Sequence, residues 1–161
     1  MSKILCAGLI AVDLVFEIGD FPKKGTKNKA LSSRMITGGG ALNAASAIAS
    51  LGGKASLAGA IGDDAFGGFL REKLVQRGID AQFVQAEPGT PTSRSANVIS
   101  PDGDRTIINH RDAALMSGDI DLPPDRINRG MRIDEPTITE TGGALDRRVV
   151  VRCNPDRRIR F

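Results

Sequence analysis

The alternation of apolar runs and glycine-bounded helical segments in the first eighty residues most constrains this chain. "KILCAGLIAVDLVF" (3–16) is a branched apolar run of the kind that forms a buried strand of a parallel sheet. "TGGGALNAASAIASLGG" (37–53) places three glycines before small helix formers, predicting a helix from about Ala41 to Leu51 that stops at Gly52-Gly53. "KASLAGAIG" (54–62) is a second continuous apolar strand. In "DDAFGGFLREKLVQRG" (63–78), Asp63 or Asp64 can cap a helix whose Phe66, Leu70 and Leu74 fall at i, i+4 and i+8, with Gly78 as its stop. Strand, helix, strand and helix in this order predict an α/β chain built as a doubly wound sheet. Asp13 is then expected at or just beyond the C-terminal end of the first strand, where such folds bind ligands.

Two other regions break the rhythm. "GDFPKKGTKNKALSSRMITGG" (19–39) mixes turn formers with weak alternation, which suits short strands on a sheet edge or flap. "AQFVQAEPGTPTSRSANVISPDGDRTIINH" (81–110) holds a Pro-Gly-Thr-Pro turn and two alternating strands around a hairpin turn at Asp102-Gly103. Antiparallel hairpins set into an α/β pattern predict a second small sheet, a lid that closes over the strand ends and excludes water.

At 161 residues the chain is one domain's length. Six Phe with no Trp or Tyr disfavour a stacking platform for single-stranded nucleic acid, so no nucleic-acid partner is expected. Cys6 and Cys153 lie far apart with no CxxC, which argues against a zinc or redox motif and fits a reduced, cytoplasmic compartment. Asp13 interrupts the N-terminal apolar run, which reads as a strand and not a signal peptide; no stretch is long enough to span a membrane. Residues 1–125 carry 13 basic and 14 acidic side chains, whereas residues 126–161 carry nine arginines, no lysine and five acids. The basicity therefore belongs to the segment after Pro123-Pro124. Two explanations of that Arg-rich tail stand: an out-of-frame continuation of a GC-rich gene, or a solvated basic tail for an anionic partner.

The glycines invite a nucleotide loop, but the spacing rejects both common ones. Gly52-Gly53-Lys54 lacks the upstream glycine of a Walker A loop and is followed by Ala55, and no GxGxxG follows the first strand. A different constellation carries the chemistry. The Asp13 carboxylate can accept two hydroxyl hydrogen bonds, Gly39 and Gly40 offer unobstructed backbone N–H groups, and Asn43 carries both donor and acceptor. Vicinal hydroxyls of a sugar need that mixture. The plainer readings are a cap or loop carboxylate for Asp13 and a helix-surface residue for Asn43.

"GLIAVDL", "GGGALNAA", "GAIGDDAFG", "GTPTSRSANV" and "GDRTIINHRD", in this order and spacing, resemble the N-terminal half of the PfkB, or ribokinase-like, carbohydrate kinases. The resemblance covers roughly residues 3–125. It implies a ribokinase-like α/β/α sandwich, here truncated, with a small β-sheet lid formed by segments of about 14–37 and 81–111. It also implies homodimers through the lid sheet and transfer of the ATP γ-phosphoryl group to a sugar hydroxyl with Mg²⁺. Asp13 matches the family's sugar-binding aspartate, Gly39 and Gly40 its substrate loop, and Asn43 the asparagine that closes the loop. Ala11 stands where ribokinases have asparagine, and the motifs look more like the ketohexokinase and sulfofructose-kinase branches. Lys27 and Asn109 match positions that the latter branch uses near the anionic end of its substrate; the plainer reading of Lys27 is an exposed lid lysine. His110, the only histidine, is expected to be a surface or packing residue.

The family's catalytic base is the aspartate of a Gly-Ala-Gly-Asp motif, which this sequence lacks; in "TGGALD" (141–146) two residues separate the aspartate from the glycines. The ATP site, by the same resemblance, would begin where the Arg-rich segment takes over. The chain is thus expected to keep the sugar loop and lid without the catalytic and ATP-binding half, and to be inactive as it stands. The alternative is a non-catalytic sugar-binding or dimerising module.

Overall fold

A computed structural model describes residues 3–115 and, as backbone only, the short strands Asp119–Asp121 and Arg158–Arg160. Three parallel strands, β1 (Lys3–Ala7), β4 (Lys54–Gly62) and β5 (Asp80–Glu87), form one sheet in the order β1-β4-β5. β2 (Ala11–Glu17), β3 (Ser32–Gly38), β6 (Arg94–Ile99) and β7 (Arg105–His110) form a second, mixed sheet in the order β3-β2-β6-β7. Within it β2 runs antiparallel to β3 and parallel to β6, and β6 and β7 make an antiparallel hairpin. The two backbone-only strands, β8 and β9, pair antiparallel with each other. The tail explanations, the boundary near residue 125 and "TGGALD" lie outside the described residues.

Helix α1 (Gly40–Ser50) begins at the glycines and ends where Gly52 takes a φ of 78°. Helix α2 (Ala65–Gln76) is capped by Asp64, whose carboxylate accepts from the Gly67 N–H at 2.9 Å, and Gly78 closes it with a φ of 65°. Both helices bury their apolar residues against the same face of the parallel sheet. Leu42 and Ala45 of α1 and Leu70 and Leu74 of α2 join Ala55, Leu57 and Ile61, the inward positions of β4, in one cluster. The opposite face carries Leu5, Ala7, Ala58 and Phe83, also buried, and the 3₁₀ turn Ala113–Leu115 packs against β4. Burial of strand residues on both faces is the pattern that the continuous apolar runs called for.

The structure departs from the sequence reading at the first strand. "KILCAGLIAVDLVF" is two strands in two sheets, parted at Gly8, where φ is 139°. The Gly8 N–H still bonds the Ala58 carbonyl of the parallel sheet at 3.0 Å, but the Val12 N–H already bonds Ser93, beside the second sheet, at 2.9 Å. Asp13 consequently lies inside β2 of the lid and not at the end of a core strand. Residues 80–87 likewise pair parallel with β4, so the expected lid segment of 81–111 begins in the core sheet; β6 and β7 are its lid strands.

The two sheets are locked together at Asp64. Its carboxylate accepts from Thr92 Oγ1 at 2.5 Å and from the Thr92 N–H at 3.1 Å, while Thr92 Oγ1 itself accepts from the Gly62 N–H at 3.1 Å. Burial pushes the Asp64 pKa up, but the hydroxyl and N–H of Thr92, the Gly67 N–H and the Arg94 guanidinium at 3.8 Å outweigh it and hold the group below the ordinary carboxylate value. A depressed folded pKa means that the unfolded chain binds more protons at acid pH. The stability Asp64 confers is therefore present above the unfolded value, about 3.9, and is lost as pH falls through the lower folded value. Asp64→Asn, which keeps a cap acceptor but cannot titrate, is expected to flatten the fall in melting temperature below about pH 4. Asp64→Ala, which also strips the buried Thr92 hydroxyl of its acceptor, is expected to cost about 2–3 kcal/mol at neutral pH. Thermal melts of both variants across pH 2.5–7, read against the wild type on roughly those pKa grounds, check this.

Candidate functional site

The lid strands bring the site residues into a row. In the strand register Ile36, Asp13, Ser95 and Asn109 lie side by side across β3, β2, β6 and β7, so their side chains share one face. At a strand spacing of about 4.8 Å, Asn109 stands roughly 10 Å from Asp13 on that face. Ser95, buried on β6, donates its hydroxyl proton to Asp13 Oδ1 and accepts from Asn97 Nδ2 at 2.9 Å. A hydroxyl has one proton to give, so this relay sets the direction of the bond and holds one carboxylate oxygen in place.

The other oxygen, Asp13 Oδ2, lies against the bare Cα of Gly38: a Cβ there would be 2.3 Å from it. The carboxylate is thus seated beside the glycine loop. Gly39 caps α1 with φ 91° and ψ 137°, and a Cβ on it would fall 2.3 Å from the Leu9 carbonyl oxygen. Only glycine fits both constraints. Gly40 opens α1, and the Asn43 N–H closes the first turn onto the Gly39 carbonyl at 2.9 Å, leaving the Asn43 side chain exposed. Gly39 has no side chain to cap α1, in contrast to Asp64 of α2, and among the described residues no side chain is seen to accept from the N–H groups of the first turn.

Asp13 and the loop 38–40 are therefore in contact, and Asn109 is in register with Asp13. Lys27 lies off the row, exposed on the connection between β2 and β3. His110 is exposed on β7, opposite Arg94. The arrangement offers a carboxylate acceptor, backbone donors and an amide on adjoining surfaces, which is chemistry for hydroxyl groups. Among the described residues no three His, Cys, Asp or Glu side chains converge to hold a metal ion. Ser95 and Asn97 were not among the residues singled out from the sequence. The alternation of "TSRSANV" does place both on one face of a strand, but nothing local says that Asp13 lies on the strand beside it.

Residues 1–128 match the model of the pfkB family carbohydrate kinases. Ketohexokinase from Mus musculus is 32% identical over 109 residues, 66% of this chain and 36% of the relative. A ribokinase candidate from Agrobacterium tumefaciens has a crystal structure that aligns with a TM-score of 0.72 at 32% identity, over 77% of this chain and 40% of that one. Arabidopsis thaliana ribokinase, solved with ribose and ATP, aligns with a TM-score of 0.61 at 26% identity, over 67% of this chain and 35% of that one. The chain thus spans little more than a third of the length of these proteins. With the ribokinase-like fold, the glycine loop and a family match over most of its length, this chain belongs to the pfkB family of carbohydrate kinases.

Proposed function

We propose that these residues form the sugar-binding part of an ATP-dependent kinase that phosphorylates a sugar hydroxyl. The observation that carries this reading is the seating of the Asp13 carboxylate between the Ser95 hydroxyl and the glycine loop at the uncapped start of α1. Two sugar hydroxyls donate to Asp13 Oδ2 and to the Asn43 amide oxygen, and the N–H groups of the loop donate to the sugar oxygens. Lys27 and Asn109 are assigned to an anionic group on the substrate, toward which an ammonium and an amide donor are suited. The exposed apolar side chains Met35 and Ile108, in one row on the lid face away from Asp13, are where we place pairing with a second copy. The base and the nucleotide site are not assigned to residues of this chain, because its sequence holds no Gly-Ala-Gly-Asp motif.

The test is calorimetric titration of the chain with a panel including D-fructose and D-ribose, alongside an assay for ADP release with Mg-ATP. Binding of at least one sugar with no ADP release is expected. Failure to bind any sugar of the panel counts against the site; ADP release dependent on sugar would overturn the placement of the base.

A further inference from the structure

Arg77 stands at the C-terminal end of α2, forty residues from Thr37, yet its side chain reaches both sides of the glycine loop. One guanidinium nitrogen, Nη1, donates to Thr37 Oγ1 at 2.8 Å and to Ser46 Oγ at 2.8 Å. Thr37 is buried and immediately precedes Gly38. Ser46 passes its own proton to the Leu42 carbonyl at 2.7 Å, in the first turn of α1. Arg77 therefore grips the chain just before Gly38 and, through Ser46, just after Gly40.

Such a grip answers a physical need. Three consecutive glycines have more conformational freedom than any other tripeptide, and a loop that must present its N–H groups in one geometry has to be held from outside. Gly38 is paired with Ala11 at the end of β3 beside the Asp13 carboxylate, but at Gly39 the contacts are backbone ones, its carbonyl accepting from Asn43 and its Cα packed on Leu9, and Gly39 has no side chain to cap α1. Arg77 is well placed for the task. Its own N–H bonds the Lys73 carbonyl at 3.1 Å, Gly78 turns the chain directly after it, and a cation at a helix C-terminus is favoured by the helix dipole.

We infer that Arg77 is a positioning residue, which holds the loop 38–40 in the geometry that receives the sugar; the inference rests on the sugar site proposed above. Amide hydrogen exchange on the full chain tests it, with wild type, Arg77→Ala and Arg77→Lys compared. Arg77→Ala is expected to speed exchange of the amides of residues 43–46, which bond back to the carbonyls at the start of α1, about tenfold while the α2 amides around Leu70 and Leu74 keep their protection. Where the wild type binds a sugar, the same variant is expected to weaken it about tenfold. Arg77→Lys, whose ammonium can donate to both hydroxyls from one nitrogen, is expected to restore most of both. Unchanged exchange at residues 43–46 in Arg77→Ala overturns the inference, and so does an equal acceleration over the whole chain. Absence of sugar binding by the wild type strikes the sugar-site reading alone, and the exchange result still decides whether Arg77 holds the loop.

Discussion

Asp13→Ala is expected to weaken sugar binding about a hundredfold while the chain still folds. The carboxylate can accept charge-assisted hydrogen bonds from two hydroxyls, and such bonds are stronger than neutral ones; losing about 2.7 kcal/mol of them corresponds to that factor. The cost to stability is smaller. Asp13 is half-buried, and the Ser95 hydroxyl that loses its acceptor still accepts from Asn97, so about 1 kcal/mol is expected. Asp13→Asn keeps an oxygen for Ser95 but loses the charge, and should fall between wild type and Asp13→Ala. Calorimetric titration of the three proteins with a sugar that the wild type binds, together with thermal melts, checks the ordering. Equal affinity in Asp13→Ala and wild type would remove Asp13 from the site.

Neighbouring glycines should fail in opposite ways, and the contrast is a sharp test of the loop geometry. Gly39→Ala puts a Cβ at a φ of 91° and 2.3 Å from the Leu9 carbonyl oxygen, a backbone atom that cannot swing aside. Strain of this kind costs about 3 kcal/mol, so a drop in melting temperature of roughly 10 °C is expected. Gly38→Ala also meets an obstacle at 2.3 Å, but the obstacle is the Asp13 carboxyl group, with Oδ2 at 2.3 Å and Cγ at 2.6 Å, on a side chain that can rotate away at the cost of its bond from Ser95. Gly38 lies outside the left-handed region, so its backbone accepts alanine. The second variant should therefore melt near the wild type and bind sugar poorly, because its methyl group displaces the carboxylate. Melts and titrations of the pair decide the matter: a stable Gly39→Ala would contradict the packing of the cap on Leu9, and a Gly38→Ala with undiminished affinity would contradict the seating of Asp13 against the loop.

The elements of shortest range were legible in the sequence. The span 54–62, the helix near 41–51, the helix between Asp63-Asp64 and Gly78 with its cap at one of those two aspartates, and the hairpin at Asp102-Gly103 all follow from residues within a turn or two of one another. Glycine, proline and capping carboxylates act on their immediate neighbours, so their effects can be read in order along the chain. The break at Gly8 was not legible. An apolar run of fourteen residues looks the same whether it stays in one sheet or crosses between two, and only the partners Ala58 and Ser93 mark the crossing. The membership of residues 80–87 in the parallel sheet was hidden for the same reason.

The candidate site divides along the same line. Asp13, Gly39, Gly40 and Asn43 were recognisable as residue types and spacings suited to hydroxyl groups, because composition and order alone carry that information. Their assembly was decided by contacts between segments distant in sequence: Ser95, 82 residues from Asp13, fixes one of its oxygens, and Arg77, forty residues from Thr37, grips the loop. Side-chain alternation along a strand states which residues share a face, but not which strand lies beside it. That pairing is set by the global packing of the two sheets around α1 and α2, so the residue types of this candidate site could be read from the chain, whereas its geometry exists only in the folded molecule.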